Sequence, residues 1–200
     1  MVCDNITTTK KNRPMTCILP EIDSLEQHLS HLDNNRQAYC PEYCPHCGFG
    51  TLHIHGNYYR KADKEGSNGV YLDPIPIPRF LCVGCGATCS CLPSCIPPYR
   101  WYLWAAQQTI LLCLLRGMPV AEIERQHFPS RHTIRRWSHW INERFAIYKF
   151  CLCSHISALG FCPTLCDFWL TYLQHGSLDN AMVLLHRAGE LVYENRGIIS

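Results

Sequence analysis

A clear excess of charge of one sign, a membrane-length apolar run and the pattern of an export leader are not seen in this 200-residue sequence, and each absence narrows what is expected of it. Lys and Arg total 18 against 16 Asp and Glu, a formal net charge of +2, so only the distribution of charge along the chain can point to a partner. The most apolar stretch, residues 101–115, lies between Arg100 and Arg116 and is interrupted by Gln107, Gln108 and Thr109. A bilayer span needs about 20 apolar residues, so a buried helix is expected there and no membrane partner. Residues 1–10 show no basic segment leading into an apolar run and a small-residue cleavage site, which argues against secretion. Internal repeats are absent, and low complexity is confined to Thr7, Thr8 and Thr9.

What the chain has in excess is cysteine, with 15 residues. The odd count and the missing leader favour reduced cytoplasmic thiols available to metal over a disulfide scaffold. Hydrophobic residues make up 47% of the chain, enough to build the core of one ordinary domain or two small ones.

Texture divides the chain into four parts. Residues 1–39 form a polar N-terminal extension, expected to be unstructured around Thr7–Asn12. A short helix is expected over residues 21–32, where Ile22, Leu25, Leu29 and Leu32 recur at spacings of three and four. Residues 40–98 are rich in Cys, Gly, Pro and His, with strand-like runs at 52–54 and 75–81 and a solvated hairpin loop over 60–69. Residues 99–149 turn helical. Trp101, Trp104, Gln108, Leu111, Leu112 and Leu115 share one face up to Gly117, a second helix opens at Pro119 and stops at Pro129, and a third is capped by Ser130. Residues 150–200 hold two further helices, over 164–175 and from a Ser177 cap through Leu185, with Gly189 as the stop. The expected fold class is α+β: a small four-cysteine zinc ribbon, then a helix-turn-helix, then a short helical C-terminal segment whose role the residues do not reveal.

Two strings, Cys44-Pro45-His46-Cys47-Gly48 and Cys82-Val83-Gly84-Cys85-Gly86, repeat one device, C-x-x-C-G, with 34 residues between Cys47 and Cys82. Two residues between cysteines let both sulfurs reach one ion from a tight turn, and the glycine supplies the positive φ that such turns require. Two such knuckles complete a tetrahedral site on Cys44, Cys47, Cys82 and Cys85 with no open position, so one structural zinc per chain is expected, its binding worth on the order of 10 kcal/mol to folding. Iron is the alternative occupant, since paired Cys-Pro-x-Cys-Gly turns also suit a redox iron centre. Cys40, Cys89, Cys91 and Cys95 crowd the same module as candidates for a second site. His46, His53 and His55 are read as surface or hydrogen-bonded residues, and Cys151, Cys153, Cys162 and Cys166 as buried apolar thiols.

Charge concentrates in the helical triple. Residues 116–149 carry seven Lys or Arg (116, 125, 131, 135, 136, 144, 149) against three Glu (122, 124, 143). With Ile134, Trp137, Ile141 and Phe145 turned inward, the third helix directs His132, Arg136 and His139 outward and places Arg131 and Arg135 on a flank. A short helix, a tight turn and a helix with cations in its first turns is the layout that enters a DNA major groove, which makes Arg131, His132, Arg135, Arg136 and His139 the candidate DNA contacts. The plainer reading is a solvated basic face on an ordinary helical subdomain.

The run CPHCG, then HIHGNYYRKA, then IPIPRFLCVGCGATCSCLPSCIPPYRW resembles the N-terminal zinc-ribbon region of bacterial insertion-sequence transposases and related mobile-element proteins, and VAEIERQHFPSRHTIRRWSHWI looks like the helix-turn-helix that follows it. The resemblance spans roughly residues 40–145. It implies zinc on Cys44, Cys47, Cys82 and Cys85, double-stranded DNA as partner, a separate transposase subunit or self-association as a further one, and a place in the bacterial cytoplasm at the nucleoid. Complete transposases of this kind continue into a nuclease domain with convergent carboxylates. Here 55 residues follow Phe145 and offer only Asp167, Asp179, Glu190 and Glu194, so no catalytic role is expected of this chain alone. A transcription regulator unrelated to transposition, and a cysteine-based redox or iron protein, stay open as alternatives. Against the latter, Cys89-x-Cys91 and Cys151-x-Cys153 lack the Cys-x-x-Cys spacing of a dithiol oxidoreductase.

Overall fold

The computed structural model describes residues 16–60, 74–98 and 102–190. The polar start expected to be unstructured, most of the expected hairpin loop and Trp101 lie outside the described residues. Within them the chain is α+β, with one four-stranded sheet and six α-helices. No helix among them is long and apolar enough to cross a membrane.

The sheet is built from β1 (Thr16–Leu19), β2 (Leu52–Arg60), β3 (Ile75–Cys82) and β4 (Thr88–Pro93) in the order β1-β4-β3-β2. β2, β3 and β4 form an antiparallel meander, and β1 joins its far side parallel to β4. Between Ile54 and Asn57 β2 takes one extra residue, with Gly56 at φ 91°. Such a bulge breaks strict alternation, so His53, Ile54 and His55 are all exposed. The helix α1 (Leu25–Asn34) follows a Ser24 cap whose hydroxyl accepts from the Gln27 N–H, and Leu25 packs with Ile75, Ile77, Leu92, Ile96 and Leu103.

β1 is the element the sequence reading missed. It lies inside the part expected to be an extension, and its register sets Cys17 opposite Cys91 with Cα atoms 4.5 Å apart, where the two sulfurs form a disulfide. The cysteines are therefore not all free thiols, contrary to the expectation from composition. Ile18, also on β1, packs into the main core of the helical half.

In that half, α2 (Trp104–Leu115), α3 (Val120–Gln126) and α4 (Arg131–Cys153) meet through Ile110, Ile123, Ile134 and Trp137, all buried. Gly117 at φ 79° turns the chain from α2 towards α3. α4 runs without a break past residue 149, where a boundary was expected. Its second half, through Trp140, Ile141, Tyr148 and Leu152, packs with Phe168, Trp169 and Tyr172 of α5 (Leu165–His175) and Leu178, Met182 and Leu185 of α6 (Leu178–Arg187). The C-terminal helices thus complete the largest core. Gln108, which interrupts the apolar run of α2, accepts the Leu178 N–H at 2.7 Å and so satisfies a first-turn donor of α6.

Candidate functional site

Each knuckle is a tight turn closed by two backbone hydrogen bonds. In the first, Gly48 N–H donates to the Cys44 carbonyl (2.8 Å) and Cys44 N–H to the Phe49 carbonyl (2.8 Å); in the second, Gly86 donates to Cys82 (2.9 Å) and Cys82 to Ala87 (2.9 Å). Gly48 and Gly86 sit at φ 79° and 69°, the left-handed conformation the motif calls for. The β2–β3 register pairs Leu52 with Cys82, which sets the turn before β2 beside the turn after β3. Val83 N–H donates to the Thr51 carbonyl across the gap (3.3 Å), and the Phe49 ring lies so close over Gly84 that a Cβ there would come within 2.8 Å of its Cγ.

The sheet thereby brings Cys44, Cys47, Cys82 and Cys85 together, with all four sulfurs within 4.8 Å of one another. Cys44 and Cys85 sulfurs are 3.8 Å apart, and those of Cys47 and Cys82 3.6 Å. Four sulfurs held tetrahedrally about 2.3 Å from one ion stand about 3.8 Å from each other, so the cluster has the dimensions of a closed four-thiolate metal site. Cys44 and Cys82 are buried, while Cys47 and Cys85 reach the surface. Desolvation works against the Cys82 thiolate, yet the backbone N–H groups of Cys85 and Gly84 and the neighbouring thiols bring its pKa down to about 7.

The other candidate ligands do not converge. Among the described residues the quartet is the one group of three or more His, Cys, Asp or Glu side chains placed to share a metal. Of the proposed second set, Cys91 is bonded to Cys17, Cys89 is buried beside Ile22, Tyr39 and Phe80, and Cys40 and Cys95 are half-buried against apolar clusters. Cys151, Cys153 and Cys162 pack into the helical core, whereas Cys166, expected to be buried with them, is exposed. Asp167 is engaged with Thr164, the cap of α5.

The turn His127–Ser130 separates α3 from α4, and Ser130 caps α4 by accepting the Thr133 N–H. Ile134, Trp137 and Ile141 point inward as their spacing predicts, and Phe145 is half-buried. His132, Arg135 and His139 are exposed; Arg136 is half-buried, so Arg135 rather than Arg136 stands on the outer face. Arg131 is exposed but engaged: Glu124 of α3 accepts both its backbone N–H (2.9 Å) and its guanidinium (2.7 Å). That arrangement holds the Glu124 carboxyl below its usual pKa, the guanidinium hydrogen bond first and the backbone N–H second. Glu122 pairs with Arg125, and His139 Nε2 lies 3.0 Å from Glu143. Sequence reasoning overlooked Glu124 because it counted the acid as charge, not as the acceptor at the start of the next helix.

A family described as a domain of unknown function (DUF6431) matches residues 44–137, a span that opens on the first cysteine of the quartet and closes on Trp137 of α4. No curated protein and no solved structure matches the chain.

Proposed function

We propose that the quartet holds one structural zinc ion and that the chain is a double-stranded DNA-binding protein, reading the major groove with the first turns of α4. On this reading the metal fixes the end of the β2–β3–β4 meander, and α3 and α4 act as a helix-turn-helix. The chain would serve at the nucleoid of a bacterial cytoplasm in recognising or regulating a mobile element, as its resemblance to the N-terminal region of insertion-sequence transposases implies.

The observation that carries the reading is the division of α4. Ile134, Trp137 and Ile141 are fixed in the core, and His132, Arg135 and His139 form an exposed donor-bearing stripe at 100° per residue on the opposite side. Arg can pair bidentately with the guanine edge, and any cation there neutralises phosphate. Zinc is the metal favoured by four thiolates with no open position.

Selection from a random duplex library at moderate salt tests the reading. Enrichment of a defined sequence supports it, and either no retained duplex or retained duplex without enrichment contradicts it.

A further inference from the structure

The four sulfurs are not equivalent. Each exposed one, Cys47 or Cys85, has as its near neighbour a buried one from the other knuckle: Cys82 at 3.6 Å for Cys47, and Cys44 at 3.8 Å for Cys85. All four sulfurs lie within 4.8 Å of one another, and these two short pairs both cross from one knuckle to the other. We propose that the quartet is a peroxide-responsive site, in which oxidation joins the two knuckles through Cys47–Cys82 and Cys85–Cys44 disulfides and expels the metal. The inference rests on the zinc reading of the quartet.

The chemistry follows from exposure and distance. A metal-bound thiolate is a nucleophile without losing a proton first. The exposed Cys47 sulfur attacks one oxygen of hydrogen peroxide, the O–O bond breaks, and hydroxide leaves as the sulfur becomes a sulfenic acid. The Cys82 thiolate then attacks that sulfur and expels its oxygen as a second hydroxide, which takes up a proton as water. In sum two thiolates lose two electrons, one peroxide gains them, and two protons are consumed in making two waters. With Cys47 and Cys82 joined, only Cys44 and Cys85 would remain to hold an ion, two ligands where a closed site needs four, and a second peroxide would oxidise Cys85 and Cys44 in the same way. Because both new bonds cross between knuckles, they replace the metal as the link between the start of β2 and the end of β3, and the sheet keeps its form.

The test treats the zinc-loaded full chain with hydrogen peroxide, follows released zinc with a chromogenic chelator, and maps disulfides by mass spectrometry of the alkylated, unreduced digest. The expected result is stoichiometric zinc release with Cys47–Cys82 and Cys44–Cys85 peptides and an unchanged far-ultraviolet spectrum. Cys166→Ser, which removes an exposed thiol outside the quartet, should leave the release unchanged. Zinc that stays bound while Cys166 is oxidised overturns the inference and leaves the zinc reading intact. Release with Cys44–Cys47 or Cys82–Cys85 peptides overturns the cross-knuckle geometry. A chain that carries no zinc before treatment overturns the underlying reading instead.

Discussion

Glu124 accepts two hydrogen bonds from Arg131, one from the backbone N–H that opens α4 and one from the guanidinium, and so ties the end of α3 to the start of α4. A carboxylate at a helix N-terminus answers donors that have no partner inside the helix. This gives Arg131 a positioning role, distinct from the DNA contact proposed for Arg135. Glu124→Gln and Arg131→Ala should each lower the thermal midpoint, and their losses should be less than additive in the double variant, because either change removes the guanidinium–carboxylate contact while the backbone N–H of residue 131 is kept in both. Additive losses in the cycle would show that the two residues act separately. The Glu124 contribution should be present above a pH of about 4.5 and be lost as the pH falls through its depressed folded value.

Metal content tests the quartet separately from DNA. Purified protein should hold one zinc per chain by elemental analysis, and Cys82→Ser, which removes a buried ligand, should lose it along with a large part of the folding energy, on the order of 10 kcal/mol for structural zinc. Cobalt substitution should give the visible bands of tetrahedral thiolate coordination. Full stability without any metal would contradict the assignment, and native iron absorbance would replace zinc by iron.

His28 is a buried polar group that links α1 to Tyr39 and to β3. Its Nδ1 accepts from the Tyr39 hydroxyl at 2.6 Å, and its Nε2 donates to the Pro76 carbonyl at 2.9 Å. Burial pushes its pKa below the usual imidazole value, outweighing the Pro76 hydrogen bond that raises it. A depressed folded value means that stability is fully present above about pH 6.5 and declines below it, as the unfolded chain takes up the proton first. Urea midpoints at pH 7.5 and 5.5 should therefore fall more steeply for the native chain than for His28→Gln. Equal slopes would remove His28 as the source. His186, also held down by burial, contributes in the same direction in both proteins and cancels in the comparison.

How much of this was legible in the sequence depended on whether the signal was local. Ser130 and Ser177 marked helix starts correctly, although only Ser130 caps with its side chain, because a start signal is written within four residues of the helix it opens. The two knuckles were equally plain, since spacing and glycine chemistry are contained in five residues each. β1 was hidden: four residues in a polar setting carry no period, and their partner Cys91 lies 74 residues away. The length of α4 was underestimated because its inward face passes from the cluster of Ile134 and Trp137 to the core shared with α5 and α6 from Trp140 onward, without any Gly or Pro to mark the change. His28 lies three residues after Leu25 on the buried side of α1, but it was passed over in favour of the leucines. What no local pattern supplied was the pairing of Glu124 with Arg131, because it depends on how the turn His127–Ser130 folds.

The most direct measurement of the central claim is duplex binding across a salt series by the native chain and by a variant with His132, Arg135, Arg136 and His139 all changed to Ala, each checked by circular dichroism. Arg131 is left in place to preserve its tie to Glu124. The account predicts a folded variant with binding lost or reduced to a weak residue. Singly, Arg135→Ala should cost about 1 to 3 kcal/mol with relaxed preference at one position if it reads a base, or lower the salt slope by about one if it meets phosphate. A folded quadruple variant that binds with native affinity and native salt dependence would contradict the account and leave the outer face of α4 as a solvated surface.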